Sequence, residues 1–475
     1  MDRHRTSGWQ ARLAPLGLFL LAGCASVDLR AGFPEVGAAV EERNGTRITW
    51  NPGPEIDQES SEALRSLLQR KLTADDAVQV ALLSNRDLQA MYADLGVAKA
   101  DLVQAGLFRN PVLDAAVLFH LGPVRPDLQL GVAFSLLDAL YVPLRKRVAA
   151  AQFEEAKLAV TGAVLDAALE ARAAFYVHQA DEQLLELRQT VAQALAASFE
   201  VSRRLHAAGN ITDLDLTRDR AAMEASKLEL RSAEVAARLS RERLNSVMGL
   251  SGPETQWETD RRLPELPTEP LQLGDVERNA VTRSIDLARA RQRIVSAGHQ
   301  AGYHRATAFI PELDLGVGAE READEPWGIG PSVSIPIPLF DQGQARIARA
   351  MSELRRAQQE HYAMAVRVRA TARAARERLQ GAEDRARYYR DIVLPLQERI
   401  VNESQLQYNA MQIGILQLLR DRERQIEAGV AYVEALREYW LARADLAQLS
   451  SGRLPGAIGV RTNGKPKNKE DRNGH

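Results

Sequence analysis

Apolar and small or polar residues alternate over residues 312–320 and again over 329–337. In the first run Leu313, Leu315, Val317 and Ala319 share one face, and Glu312, Asp314, Gly316, Gly318 and Glu320 the other. In the second, Ile329, Val333, Ile335 and Ile337 oppose Gly330, Ser332, Ser334 and Pro336. A period of two is the signature of a strand. The residues between the runs carry charge, Pro326 and Trp327, and read as the loop of a hairpin. Each run is about nine residues, close to the ~9–11 that cross a bilayer when tilted. One apolar and one small or polar face suit a strand between lipid and a wet lumen. On this stretch alone the pattern fits a hairpin packed on a soluble core equally well.

The text repeats. Asn85-Arg86-Asp87-Leu88 has a counterpart in Ser284-Ile285-Asp286-Leu287, Asn110-Pro111 in Ile310-Pro311, and Arg147-Val148-Ala149 in Arg346-Ile347-Ala348. Leu216-Thr217-Arg218-Asp219-Arg220 returns as Leu418-Leu419-Arg420-Asp421-Arg422. The order is kept and every offset is roughly two hundred residues, the mark of a tandem duplication. The repeats are 72–252 and 271–452, joined by a Pro-rich stretch, 253–270. The first copy therefore has its own hairpin, 112–137, matching 312–337 in the second. Leu128, Leu130, Val132, Phe134 and Leu136 alternate there with Gln129, Gly131, Ala133 and Ser135, after a first strand over 112–119. Four strands cannot close a barrel in a membrane, because open edges leave backbone groups unpaired in lipid. Several copies must pool their strands: two give eight and three give twelve.

After each hairpin the period changes to that of a helix. Leu184, Leu187, Val191, Leu195 and Phe199 step by three or four. The stretches 144–208 and 344–410 would each reach ~100 Å as one helix, with Pro395 expected to kink the second. Shorter helices are expected over 73–106, 212–247, 273–307 and 416–449. A short pair stacked end to end spans what one long helix spans, so the two kinds can lie antiparallel as coiled-coil partners. Charged residues are 26%, the net charge is −2 and aromatics are 5%. This composition points to Ala-rich helices packed through small side chains, and it makes no electrostatic case for nucleic acid.

The N-terminus adds a compartment. Arg3, Arg5 and Arg12 precede an apolar run that ends in Leu21-Ala22-Gly23-Cys24, and Cys24 is the one cysteine of the chain. A basic start, a short apolar core and small residues before a cut make a secretory signal over 1–23. The Leu-Ala-Gly-Cys ending resembles a bacterial lipobox, which implies lipid on Cys24. The lack of Asp after Cys24 implies sorting to the outer membrane. Residues 24–71, with Pro34, Pro52 and Pro54, read as an extended linker. Residues 453–475 read as a disordered polar tail.

The order of these elements, the Asn-Pro-Val-Leu of residues 110–113, the Ser-Ile-Pro-Ile-Pro-Leu-Phe-Asp-Gln-Gly of 334–343 and the Gly-Asn-Ile-Thr-Asp-Leu of 209–214 resemble the outer-membrane efflux channel family typified by TolC. The lipobox points to its lipoprotein branch. The resemblance implies a mainly α fold with a small β part. A tandem-repeat helical barrel would stand below two hairpins, which give four strands to a shared trimeric β-barrel. It also implies a homotrimer in the outer membrane, with a periplasmic tunnel fed by a periplasmic adaptor and an inner-membrane pump. Adaptors would dock at the helix-to-helix turns, here Gly209, Ile211, Thr212 and Leu214, then Met411, Ile413 and Gly414. Gly209 and Asn210 are expected in left-handed conformations, whereas Met411 replaces the family's usual Gly and predicts a different second turn. The family closes this end with carboxylate rings. The matching positions hold Gln417, Arg420 and Asp421, with Asp213 and Asp215 in the first turn, so these five are the candidate constriction.

No catalytic constellation is legible. The His residues are scattered, and neither a phosphate-binding Gly loop nor a nucleophile elbow is present in the sequence. The expectation is no enzyme, no cofactor and no bound metal. Two other readings remain: a duct for protein secretion, and a coiled-coil scaffold lipoprotein with no pore.

Overall fold

A computed structural model describes residues 27–50, 54–121, 125–268, 274–310, 312–322 and 325–456. The signal segment, Cys24 and residues 457–475 lie outside these. In chain order the elements are α1 (Phe33–Asn44), α2 (Pro54–Leu68), α3 (Ala74–Ser84), α4 (Arg86–Gly106), β1 (Val112–Leu118), β2 (Asp127–Ser135), α5 (Asp138–Ala207) and α6 (Asp213–Met248). The second repeat continues with α7 (Val276–Thr282), α8 (Ile285–Ala306), β3 (Asp314–Arg321), β4 (Gly328–Ser334), α9 (Gln344–Tyr388), a π turn (Tyr389–Val393), α10 (Leu394–Asn409) and α11 (Ile415–Ser450).

The chain forms two compact units. One holds 92–157 and 290–360 with the chain up to Glu35; the other holds 36–91, 158–289 and 361 onward. The first contains one antiparallel sheet in the order β1-β2-β3-β4. β4 stops at Ser334, short of the expected Ile337. The cause is Pro336, which has no N–H to offer the carbonyl of Glu312 where the register would next require one. At the foot of the sheet, buried Asp138 accepts from the Arg109 N–H at 2.7 Å and pairs with Arg145 at 3.3 Å.

The second unit carries the main apolar core. Val368, Ala372, Ala375, Leu379, Ala382 and Ala386 of α9 are all buried, stepping four and three residues alternately. That seam is coiled-coil spacing, with alanine allowing close approach. It packs with Phe175 and Tyr176 of α5, Leu244 and Met248 of α6, and Leu436 and Tyr439 of α11. The Pro-rich joiner is pinned here too: the Trp257 indole donates to Asn245 at 2.7 Å, and the Arg241 guanidinium stacks 4.0 Å from its ring centroid.

Both repeats break their shorter helices in the same way. Asn85 ends α3 and its side chain accepts from the N–H groups of Asp87 and Leu88; Ser284 does the same for Leu287. Against each break lies a glycine that ends the returning helix with positive φ, Gly249 at 71° and Gly452 at 93°. A Cβ on Gly249 would meet the Ser84 carbonyl at 2.7 Å, and one on Gly452 would overlap that of Arg283.

Two expectations need correction, and the start of the first long helix moves from 144 back to Asp138. The described part of 24–71 is not an extended linker: Pro34 and Pro54 sit in the first turns of α1 and α2, where a missing N–H is harmless, and so start helices. Arg43 of α1 then caps the second repeat, donating to the carbonyls of Arg283 at 2.7 Å and Ser451 at 2.9 Å. Arg453 does not open a disordered tail. It pairs with Asp166 at 2.7 Å and with Asp286, and the next amide, Leu454, donates to Asp286. Finally, Pro143 lies inside α5 in its first turns and leaves the helix continuous over 70 residues, ~105 Å. Pro395 does mark an interruption. It has no N–H for the Asp391 carbonyl, and the helix widens to a π turn in which Leu394 donates back to Tyr389.

Candidate functional site

Two features carry function, the sheet and the two helix-to-helix turns. The strand register sorts residues into faces. Leu113, Val132, Val317 and Pro331 form one row across the sheet, and Ala115, Leu130, Ala319 and Ile329 the next. On the opposite face run Asp114, Gly131, Gly318 and Gly330, then Ala116, Gln129, Glu320 and Gly328. The apolar rows are bare, with Leu113 71% and Ile329 75% exposed. So the sheet does not pack its apolar face on a soluble core. The polar face borders a concavity of about 610 Å³ lined by Asp114, Gln129, Gly131 and Glu320. Gly316 is needed there, because a Cβ would meet the Val132 carbonyl at 2.8 Å. Among the described residues no helix is long and apolar enough to cross a membrane.

The first turn ends α5 at Gly209, with φ 75°, and the Asn210 N–H reaches back to Leu205 at 2.9 Å. This six-to-one bond is the Schellman closure. Asn210 is not left-handed; one glycine suffices. Thr212 caps α6 by accepting from the Asp215 N–H at 3.2 Å. The second turn keeps the same geometry, against expectation. Met411 takes the place of Gly209 with φ 60°, and Gln412 donates to Gln407 at 2.8 Å. Gly414 stands where Thr212 stands, as an N-cap with no side-chain bond. Hydrogen bonding therefore dictates the turn, and Met411 bears the strain. Its side chain, with those of Leu214 and Leu406, is exposed.

The five candidate constriction residues do not form one group. Asp213 accepts or shares a proton with His206 at 2.7 Å across the first turn. Asp215 receives the Thr212 hydroxyl at 2.8 Å and lies 3.8 Å from Arg218. Arg420 is exposed and bonds its own helix at the Leu416 carbonyl. Asp421 is 4% exposed, buried between α10 and α11. It accepts from Ser404 at 2.7 Å and from Gln417 at 3.2 Å, with Arg424 at 3.6 Å. Asp421 is thus a helix-pairing carboxylate rather than a lumen charge, and Gln417 serves it. The first repeat has the same device in Ser202 and Asp219. Sequence reasoning passed over both serines, although Ser and Asp stand 17 apart in each repeat.

Among buried groups, His178 deserves its chemistry. It meets Ser240 at 3.3 Å and the edge of Trp257, and burial with the nearby Arg241 charge lowers its pKa to about 4. Asp181 beside it is raised by burial, though Ser240 and Arg437 pull the other way.

No protein-family model matches the chain. It is 23% identical over 381 residues to the cobalt-zinc-cadmium resistance protein CzcC of Cupriavidus metallidurans, covering 80% of this chain and 90% of that one. The structure superposes on the CmeC outer membrane channel of Campylobacter jejuni with a TM-score of 0.64 at 14% identity, over 80% of this chain and 86% of the other. It matches the outer membrane protein VceC of Vibrio cholerae with a TM-score of 0.63 at 16% identity, over 81% and 97%. The fold is that of the TolC-like outer-membrane channels.

Proposed function

We propose that the chain is the outer-membrane exit duct of a tripartite efflux system. Three copies pool four strands each into a twelve-stranded barrel, and their helices form a tunnel in the periplasm. One observation supports this above the rest: among the described residues the sheet leaves its apolar face bare and both outer strands, β1 and β4, without a partner on one side. Hydrocarbon tolerates neither an open edge nor an unpaired backbone group, so the edges must meet those of other copies. The duct is passive. A periplasmic adaptor meets the turns at Gly209, Ile211, Thr212, Leu214, Met411, Ile413 and Gly414, an inner-membrane pump supplies energy, and lipid on Cys24 anchors the chain. Asp213, Asp215 and Arg420 remain the charges at the turn end that a lumen could use. The metal-resistance name of one relative makes cobalt, zinc and cadmium the first cargo to test.

The test has two parts. In membranes run unheated in detergent, a trimer-sized band should collapse on boiling. A deletion strain should become sensitive within a panel of metals and antibiotics. A lone protomer in detergent would leave the scaffold reading in place. A trimer whose deletion blocks export of a protein but changes no sensitivity would favour the secretion duct.

A further inference from the structure

The hydrogen-bonding sides of the strands go further than closure in general: they select its register. The Leu136 N–H donates to the Leu313 carbonyl at 2.9 Å, extending the β2–β3 ladder by one rung. Hydrogen-bonded and non-bonded pairs alternate along an antiparallel ladder. On β3 the odd-numbered residues therefore bond β2, and the even-numbered ones bond Gly328, Gly330, Ser332 and Ser334 of β4. The same alternation makes Val112, Asp114, Ala116 and Leu118 bond β2. What β4 and β1 turn outward are then the odd-numbered positions: Ile329, Pro331 and Val333 on one, Leu113, Ala115 and Val117 on the other. These outward positions also carry the sheet's apolar rows, although β1 has Val112 and Leu118 on its other face. A second copy's β1 thus fits β4 in side-chain face and in hydrogen-bonding side at once, and only registers that pair odd with odd satisfy both.

Three such registers keep β1 paired along its length. They set Ala116 of the next copy opposite Gly330, Ser332 or Ser334. Walking across the sheet from Val112 through Ala133, Gly316 and Ser332, they return to the next β1 two, four or six residues further along. Over three copies the stagger is six, twelve or eighteen. With ~3.3 Å per residue and ~4.8 Å between strands, the strand tilts are roughly 19°, 35° and 46°. Membrane barrels tilt by ~35–45°, which removes the first. Shifts in the opposite sense slide β4 off β1.

Pro331 decides between the other two. It points outward and has no N–H. In the intermediate register it faces Val117, and the Val117 carbonyl is left without a donor in hydrocarbon, where no water replaces it. In the longest shift Pro331 moves past β1 to face Phe119, and the rungs become Val333 with Val117, Ile335 with Ala115 and Ile337 with Leu113. Each of these residues has its N–H. This register also gives a strand partner to residues 335–338, which belong to no strand of their own chain and are exposed at Ile335 and Ile337. We propose that a second copy of the chain pairs its β1 with residues 332–338, so that β4 is completed by the neighbour rather than by its own hairpin, with Ser334 opposite Ala116. The proposal rests on the duct reading above.

Cysteine pairs test it directly. Ala116 and Ser334 would form a non-bonded pair with Cα atoms ~4.5 Å apart, within the ~4.4–6.8 Å of a disulfide. In one chain they lie three strands apart, ~14 Å sideways, and Ser334 is a further six residues, ~20 Å, along β4 from the position level with Ala116, so a bridge between them must join two copies. Ala116→Cys is combined in turn with Ser334→Cys, Ser332→Cys and Gly330→Cys, with the single variants controlling for Cys24, and membranes are oxidised with copper phenanthroline. The Ser334 combination should give a covalent trimer on boiled, non-reducing gels, and the other two mostly monomer. Covalent trimer from the Ser332 or Gly330 combination, or from none while unboiled reduced samples remain trimeric, overturns the register. Loss of the trimer in the unsubstituted protein overturns the duct reading itself.

Discussion

The two helix-to-helix turns form a natural pair for an experiment on backbone strain. Gly209 and Met411 occupy the same position, with φ 75° and 60°, in turns closed by the same bond. A side chain in the left-handed region costs ~1–2 kcal/mol. Glycine in its place gives back ~0.5–1 kcal/mol through the freedom of the unfolded chain. No atom lies within 4 Å of a Cβ built on Gly209, and Met411 is 93% exposed, so packing contributes little to either change. Met411→Gly should therefore stabilise its turn by ~0.5–1 kcal/mol, and Gly209→Ala should destabilise its own by a similar amount. Global melting of a membrane oligomer would not isolate such a local term. Hydrogen exchange does, because it reports local opening. The Gln412 amide should become roughly two- to fivefold more protected in Met411→Gly, and the Asn210 amide correspondingly less protected in Gly209→Ala. If both amides moved the same way, or if Met411→Gly loosened its turn, the shared-geometry argument would be wrong.

Other predictions concern the helical unit. Ser404→Ala removes a donor from the buried Asp421 carboxylate and should destabilise by ~1–3 kcal/mol. Asp421→Asn should cost less than Asp421→Leu, which strands Ser404 and Gln417; denaturant or thermal midpoints of the three variants rank them. Gly452→Ala places a Cβ on the Arg283 carbonyl while φ is 93°, so little folded trimer should reach the membrane fraction. For pH, His178 has its pKa lowered to about 4 in the fold. The unfolded chain therefore binds the extra proton between about pH 6.5 and 4, and stability falls as pH falls through that window. By pH 5 the loss is ~2 kcal/mol. Asp181 opposes it, since its raised pKa makes the native state take up a proton more readily. His178→Gln should flatten the fall in thermal midpoint from pH 7 to 5, and an unchanged slope would exclude His178 as its source.

Much of the architecture was legible because it is written in local periods. Alternation at 128–136 and 312–320 is a property of each strand by itself, and the duplication is a property of the text. The helical repeat of α5 and the Gly209 stop are equally local. What only the folded chain decided depends on where distant residues meet. Asp421 reads like a lumen charge from its position after a turn, yet Ser404 and Gln417 enclose it once α10 and α11 pair. Arg453 reads like the start of a polar tail until Asp166 and Asp286, almost three hundred and about one hundred and seventy residues away, converge on it. The proline at Pro336 says nothing about the length of β4 until the register sets it against Glu312. Period and stop signals act within a few residues and survive in a bare sequence. Pairing and burial are set by contacts between elements, so their outcome becomes readable only after the chain has closed on itself.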